Sequence, residues 1–187
     1  TPAGVPSPLT QTPTNNKQPT WTWTSITDAV AYEILLDGAS ITETTALQYT
    51  APELDHGPHD IQVRSRDADG NVSAYGKQNI FVDRQPPLKP VLETASDLTS
   101  NKRPTWSWNI SQDVSEYGVI FDNNTEITQT TVSYTPSELS DGTYKIKVRA
   151  KDAVGNWSDY AESTVVVDIT PPDVPVPTST TPTNNDK

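Results

Sequence analysis

Apolar and polar residues alternate along this chain with a period of two, and turn chemistry breaks the alternation every few residues. In the clearest run, Tyr144, Ile146, Val148 and Ala150 point one way and Lys145, Lys147, Arg149 and Lys151 the other, the pattern of a half-buried antiparallel strand. Ile61 and Val63 alternate in the same way with Gln62, Arg64 and Arg66, Trp21 and Trp23 with Thr20, Thr22 and Thr24, and Tyr32, Ile34 and Leu36 with Glu33 and Leu35. Between the runs stand Asp37-Gly38, Asp122-Asn123, Gly57-Pro58, Asp141-Gly142, Asp69-Gly70-Asn71 and Gly155-Asn156, residue pairs that favour tight turns. No segment carries a convincing helical period. In the first part of the chain strands are expected near residues 5–12, 19–25, 30–37, 41–44, 46–51, 59–67 and 73–83. Seven short strands in so few residues predict a two-sheet antiparallel sandwich.

The pattern is written twice. Residues 19–87 map onto residues 104–172 at a constant offset of 85 without a gap. PTWTW from Pro19 becomes PTWSW from Pro104, RSRDADGN from Arg64 becomes RAKDAVGN from Arg149, and VDRQPP from Val82 becomes VDITPP from Val167. TPTNN at residues 12–16 returns at residues 181–185 and reads as the opening of a third unit in a longer array. The expected architecture is therefore all-β: two tandem seven-stranded sandwiches set end to end, residues 1–86 and 87–175, with residues 176–187 as linker and start of a third repeat. The connection Gln85-Pro86-Pro87 is too short to reach around a domain and too stiff to fold back.

Composition narrows the function. The hydrophobic fraction of 33% is low for a globular chain, but five Trp, seven Tyr and periodic Val and Ile argue for small folded cores. Seventeen prolines against eight glycines favour stiff joints. Without cysteine no disulfide supports these cores, so a metal or a neighbour contact is the obvious substitute. The net charge of −11 repels nucleic acid and anionic membranes and suits divalent cations. No apolar run is long enough to span a membrane.

The Trp21-x-Trp23 pair followed by Tyr32 and Leu54-x-x-Gly57, and in the second copy Leu139-x-x-Gly142-Thr143-Tyr144 followed by Val148-x-Ala150, resemble a fibronectin type III or immunoglobulin-like domain. Tyr144 resembles the tyrosine-corner residue of those folds, and His59 stands in its place in the first copy. KDAVGNWS from Lys151 and VVVDITPPDVP from Val165 are similar to the closing segment of bacterial immunoglobulin-like repeats in large surface adhesins. The resemblance spans nearly the whole chain.

It also implies calcium at the junctions. In this topology the loop of Asp152 to Asn156 faces the preceding repeat, and Asp83 lies at the far end of that repeat. Asp83, Asp152 and Asn156, joined by Asp113, would then supply oxygens to Ca²⁺, an ion that takes six to eight of them. Asp67, Asp69 and Asn71 would face a preceding repeat, and Asp168 with Asp173 a following one. The competing reading is that Asp67 and Asp152 only cap tight hairpins through their side chains.

Catalysis is not expected. His56 and His59 correspond to Asp141 and Tyr144, and no nucleophile with a base recurs in both copies. Glu53 and Asp55 align with Glu138 and Ser140, so no two-carboxylate site is maintained. The alternating tryptophans belong to the core, whereas Trp157, in place of Val72, is expected to pack at the junction. Arg64, Arg66, Arg149 and Lys151 form a solvated row facing acidic cross-strand partners. The resemblance and the matched lengths of the copies point to extender repeats of a long secreted or cell-surface bacterial adhesin. They would be monomeric, partnered by neighbouring repeats of the same chain, and would hold a distal binding region, its ligand unknown, away from the cell. The alternatives are a glycan- or protein-binding module, or an accessory spacer of a secreted polysaccharide-degrading enzyme.

Overall fold

The structure, a computed structural model, describes residues 4–93, 97–109 and 112–177; the expected start of a third unit at residues 181–185 lies outside them. Every regular element among the described residues is a strand. The first repeat contains β1 (Thr20–Thr22), β2 (Ala29–Leu36), β3 (Ala39–Thr44), β4 (Gln48–Thr50), β5 (Gly57–Asp67) and β6 (Gly76–Val82). They form a sheet of order β3-β2-β5-β6 facing the pair β1-β4. The second contains β7 (Leu92–Glu93), β8 (Leu98–Thr99), β9 (Trp106–Trp108), β10 (Glu116–Phe121), β11 (Ile127–Gln129), β12 (Ser133–Tyr134), β13 (Gly142–Lys151) and β14 (Ala161–Val167). Its sheets run β11-β10-β13-β14-β8 and β12-β9-β7.

Where seven strands per repeat were expected, the described residues of the first show six and those of the second eight. The leading segment explains both numbers, because it serves the two sheets in turn. In the second repeat it gives β7, paired with β9, and β8, paired in parallel with β14. The first repeat keeps only the bridges Leu9 to Thr22 and Thr14 to Val82. Pro6, Pro8 and Pro13 have no N–H to give a ladder, so the expected strand over residues 5–12 does not form. The segment is nonetheless seated: a Cβ on Gly76 would lie 1.7 Å from the carbonyl oxygen of Pro6.

Each repeat encloses its own core. Trp21, Tyr32, Ile34, Ile61, Val63, Ile80 and Val82 form one cluster, and Trp106, Trp108, Tyr117, Val119, Ile146, Val148 and Val165 form the other. The expected inward set on β13 is buried except for the half-buried Tyr144. The indole N–H groups of Trp21, Trp23, Trp106 and Trp108 have no acceptor among the described residues. Volume decides the matter. A Trp side chain removes about 150–250 Å² from water, worth roughly 4–6 kcal/mol at about 25 cal/mol/Å², more than the roughly 1–3 kcal/mol that an unpaired buried donor costs.

Turn chemistry agrees with the sequence. Asp37 and Gly38 take φ of 50° and 76°, the left-handed pair that a two-residue hairpin requires, and Asp122 and Asn123 take 47° and 59° at the start of the longer connection from β10 to β11. Tyr144 Oη donates to the carbonyl of Ser140 at 3.1 Å, closing the expected corner. In the first repeat His59 Nε2 lies 3.0 Å from the carbonyl of Asp55, so the same corner is closed by imidazole.

Candidate functional site at the joint between repeats

Asp152 leads the turn that follows β13, and its carboxylate is buried within it. Its Oδ1 accepts from the backbone N–H groups of Val154, Gly155 and Asn156 at 3.0, 2.7 and 2.8 Å, and its Oδ2 accepts from Asn156 Nδ2 at 2.8 Å. The turn is thereby rigid, and it holds Asn156 so that Nδ2 also donates to the backbone carbonyl of Asp83, 3.0 Å away in the other repeat. Asp83 is itself fixed: its N–H donates to Thr14 at 2.8 Å, and its Oδ1 accepts from the N–H of Gln85 at 3.0 Å. Gly155, with φ of 103°, sits against Asn15; a Cβ there would lie 3.1 Å from Asn15 Nδ2.

Beside this contact a cleft of about 700 Å³ opens between the repeats, lined from one side by His56, Phe81 and Asp83 and from the other by Asn109, Asp113 and Asp152. His56 Nδ1 accepts from the N–H of Arg84 at 3.1 Å and lies 3.5 Å from Asp83 Oδ1. Its ring meets Phe81 edge-on at 5.3 Å. His56 thus shapes the joint.

Of the expected metal residues, Asp83, Asp113 and Asp152 line one cleft at the joint, and Asn156 bonds across it to the Asp83 carbonyl. Asp67 and Asp69 occupy the equivalent turn of the first repeat, and Asp168 the equivalent of Asp83 after β14. Asp67 Oδ1 accepts from the N–H groups of Asp69 and Asn71, and its Oδ2 from Asn71 Nδ2 at 2.9 Å. The hairpin-capping role weighed for Asp67 and Asp152 is the one their oxygens perform. The Asn71 amide, followed by the turn N–H groups, holds the Asp67 carboxyl below its usual range. The donors at the cleft are oxygens, as calcium requires, but among the described residues no three His, Cys, Asp or Glu side chains are gathered for a metal.

Trp157 is not at the junction. Its ring lies under the Arg149 guanidinium at 4.1 Å and beside Lys151 Nζ at 5.2 Å, because an aromatic face is a favourable seat for these cations. The basic row finds its expected acids: Arg64 with Glu33, Arg66 with Glu43, Arg149 with Glu126, Lys151 with Glu116. Asn15 and Pro13 were missed as joint residues; the return of TPTNN was the signal that could have found them.

Residues 93–169 match the family described as bacterial Ig-like domain. The second repeat is a bacterial Ig-like domain. The first shares its offset sequence, its corner and its principal sheet. No curated protein matches the chain. Among solved structures, the fibronectin(III)-like modules of Clostridium thermocellum CbhA align over 86% of this chain and 93% of their own, with 14% identity and a TM-score of 0.53. The FN1–FN3 domains of chicken CNTN1 align over 88% of this chain and 68% of theirs, with 14% identity and a TM-score of 0.45. The CbhA likeness shows the fold: the two repeats here have the β-architecture of fibronectin III-like modules.

Proposed function

We propose that these Ig-like repeats are spacers. Residues 1–86 and 87–175 are two sandwiches set end to end, and residues 176–187 lead toward another repeat, within a long secreted or cell-surface bacterial adhesin whose distal region binds. The observation that carries this reading is the bond from Asn156 to the Asp83 carbonyl. It ties a preorganised turn of one repeat to the outgoing strand end of the other, across a connection already stiffened by Pro86 and Pro87. A joint closed by direct contact transmits orientation, which is what a spacer has to do. The chain performs no chemistry in this reading, and both histidines serve structure, His59 at its corner and His56 at the joint.

Calcium belongs to the proposal as a clamp on a joint that direct contacts already close. Asp83 and Asp113, with what remains of Asp152, would hold it, and the ion would offset the repulsion of like charges around the cleft. Small-angle scattering tests the spacer: an elongated two-body profile is expected, and a compact near-spherical one overturns it. Thermal melting with calcium and with chelator tests the clamp. The wild type should melt higher with calcium, by an amount that grows with its concentration, and Asp83→Ala should lose most of that rise; identical melting in both conditions removes calcium and leaves the spacer standing.

A further inference from the structure

The joint is present once in full, and its two halves are each present a second time. We propose that the Asp67–Asn71 turn is a docking surface for the outgoing end of a preceding Ig-like repeat, and the Asp168–Pro172 end for the turn of a following one. The Asn71 amide and the Asp168 carbonyl are the matching contacts. This inference rests on the spacer reading and adds to it the residues that form every joint.

The geometry of the halves is already that of the closed joint. In the Asp152 turn the second-residue and fourth-residue N–H groups reach Oδ1 at 3.0 and 2.8 Å and the Asn amide reaches Oδ2 at 2.8 Å. The corresponding distances around Asp67 are 3.1, 2.8 and 2.9 Å. Gly70 takes a φ of 84° and Gly155 of 103°, so both turns present a face without a Cβ. At the other half, the Asp83 N–H donates to Thr14 at 2.8 Å and its Oδ1 accepts from the Gln85 N–H at 3.0 Å. Asp168 repeats this with Thr99 at 2.9 Å and the Thr170 N–H at 3.1 Å. The turns differ in their glycine, whose N–H reaches the carboxylate at Gly155 and the Asp67 main-chain carbonyl at Gly70, and in the partner: Asn156 Nδ2 has two acceptors, Asp152 Oδ2 and the Asp83 carbonyl, whereas among the described residues Asn71 Nδ2 has only Asp67 Oδ2. A side-chain amide carries two N–H donors. The second donor of Asn71 is therefore held, preorganised, toward an acceptor that another repeat's V-D-x-x-P-P end supplies, and little ordering remains to be lost on docking.

The test is a four-repeat chain in which residues 1–171 run directly into residues 2–187, placing Pro2 in the position of Pro172. The chain has no cysteine, so spin labels can be set at will on the exposed, equivalent positions Asn79 and Thr164. Labels at Asn79→Cys and Thr164→Cys of one copy report the native joint; Thr164→Cys of the first copy with Asn79→Cys of the second report the new one. Pulsed dipolar spectroscopy should give the new joint as narrow a distance distribution as the native one. Asn71→Ala in the second copy should abolish the narrow peak at the new joint only, and Asn156→Ala in the first copy at the native joint only. A broad new joint beside a narrow native joint overturns this inference alone, and does so in the unsubstituted protein, whatever the variants do to folding. Breadth at both joints overturns the spacer reading together with it.

Discussion

His59 Nε2 lies 3.0 Å from the carbonyl oxygen of Asp55, and the same ring offers Nδ1 to Asp37 Oδ2 at 2.8 Å. Both acceptors are satisfied at once only when both nitrogens carry hydrogen, which is the imidazolium. Burial opposes that charge, but the Asp37 hydrogen bond, the Asp55 carbonyl and the two nearby carboxylates outweigh it and raise the His59 pKa above its ordinary 6.5. A raised folded value means that this stabilisation is complete below about pH 6.5 and is lost as pH rises through the raised value. Melting of the first repeat, followed through its own amide signals by NMR, should therefore fall across that window. His59→Tyr should flatten the profile; an unchanged slope would show that the imidazolium is not what closes the corner.

Arg149 holds Glu126 with two nitrogens, at 2.7 and 2.6 Å, and lies over Trp157 and Tyr160 at 4.1 and 4.8 Å. The fork, more than the charge, fits this seat. Arg149→Ala should cost the second repeat roughly 1.5–3 kcal/mol in urea denaturation, the range for hydrogen bonds to charged groups. Arg149→Lys should recover only part of it, and full recovery would reduce the cluster to a simple ion pair.

Gly76→Ala should expel the leading segment, since the added Cβ meets the backbone of Pro6 at 1.7 Å and backbone cannot step aside. The expected loss is about 1–3 kcal/mol, as for overpacking, with rapid protease cleavage within residues 4–9 as its signature. An unaltered digestion pattern would refute the seating of that segment.

Asp67, whose carboxyl is held low by Asn71 and the turn N–H groups, stabilises the folded state above its ordinary 3.8, and that contribution is lost as pH falls through the lower folded value. In acid titrations followed by circular dichroism, Asp67→Asn should be less stable than the wild type near neutral pH and lose less as the pH drops. Parallel curves would contradict this.

Much of this architecture was readable because it follows from local chemistry. The period of two put Ile146, Val148 and Ala150 inside, and Asp37-Gly38 announced a turn that only left-handed residues can make. The leading segment departs from the expected strand because Pro6 and Pro8 have no N–H for a ladder, and Trp157 from the junction because position beside a turn does not reveal which face the side chain takes. The joint was half legible: the sandwich topology placed Asp83 near Asp152, but the bond runs from Asn156 to a main-chain carbonyl, and a carbonyl leaves no mark in a sequence.

The basic row has a consequence for how such genes evolve. In the first repeat β2 supplies Glu33 to Arg64 and β3 supplies Glu43 to Arg66. In the second, β10 supplies Glu116 to Lys151, and Glu126, just ahead of β11, serves Arg149. The accepting carboxylates are exchanged between strands, and Gly118, where Glu33 stands in the other copy, leaves the space that Glu126 fills. A recombination between the two copies that falls in the β2–β3 hairpin would give one hybrid with Glu33 and Glu126 both crowding Arg149 and nothing opposite Lys151. The reciprocal hybrid would leave Arg64 without a carboxylate. Tandem repeats invite such exchange, and here each product begins with mismatched charge, so the ion pairs work against it and help to keep neighbouring repeats distinct.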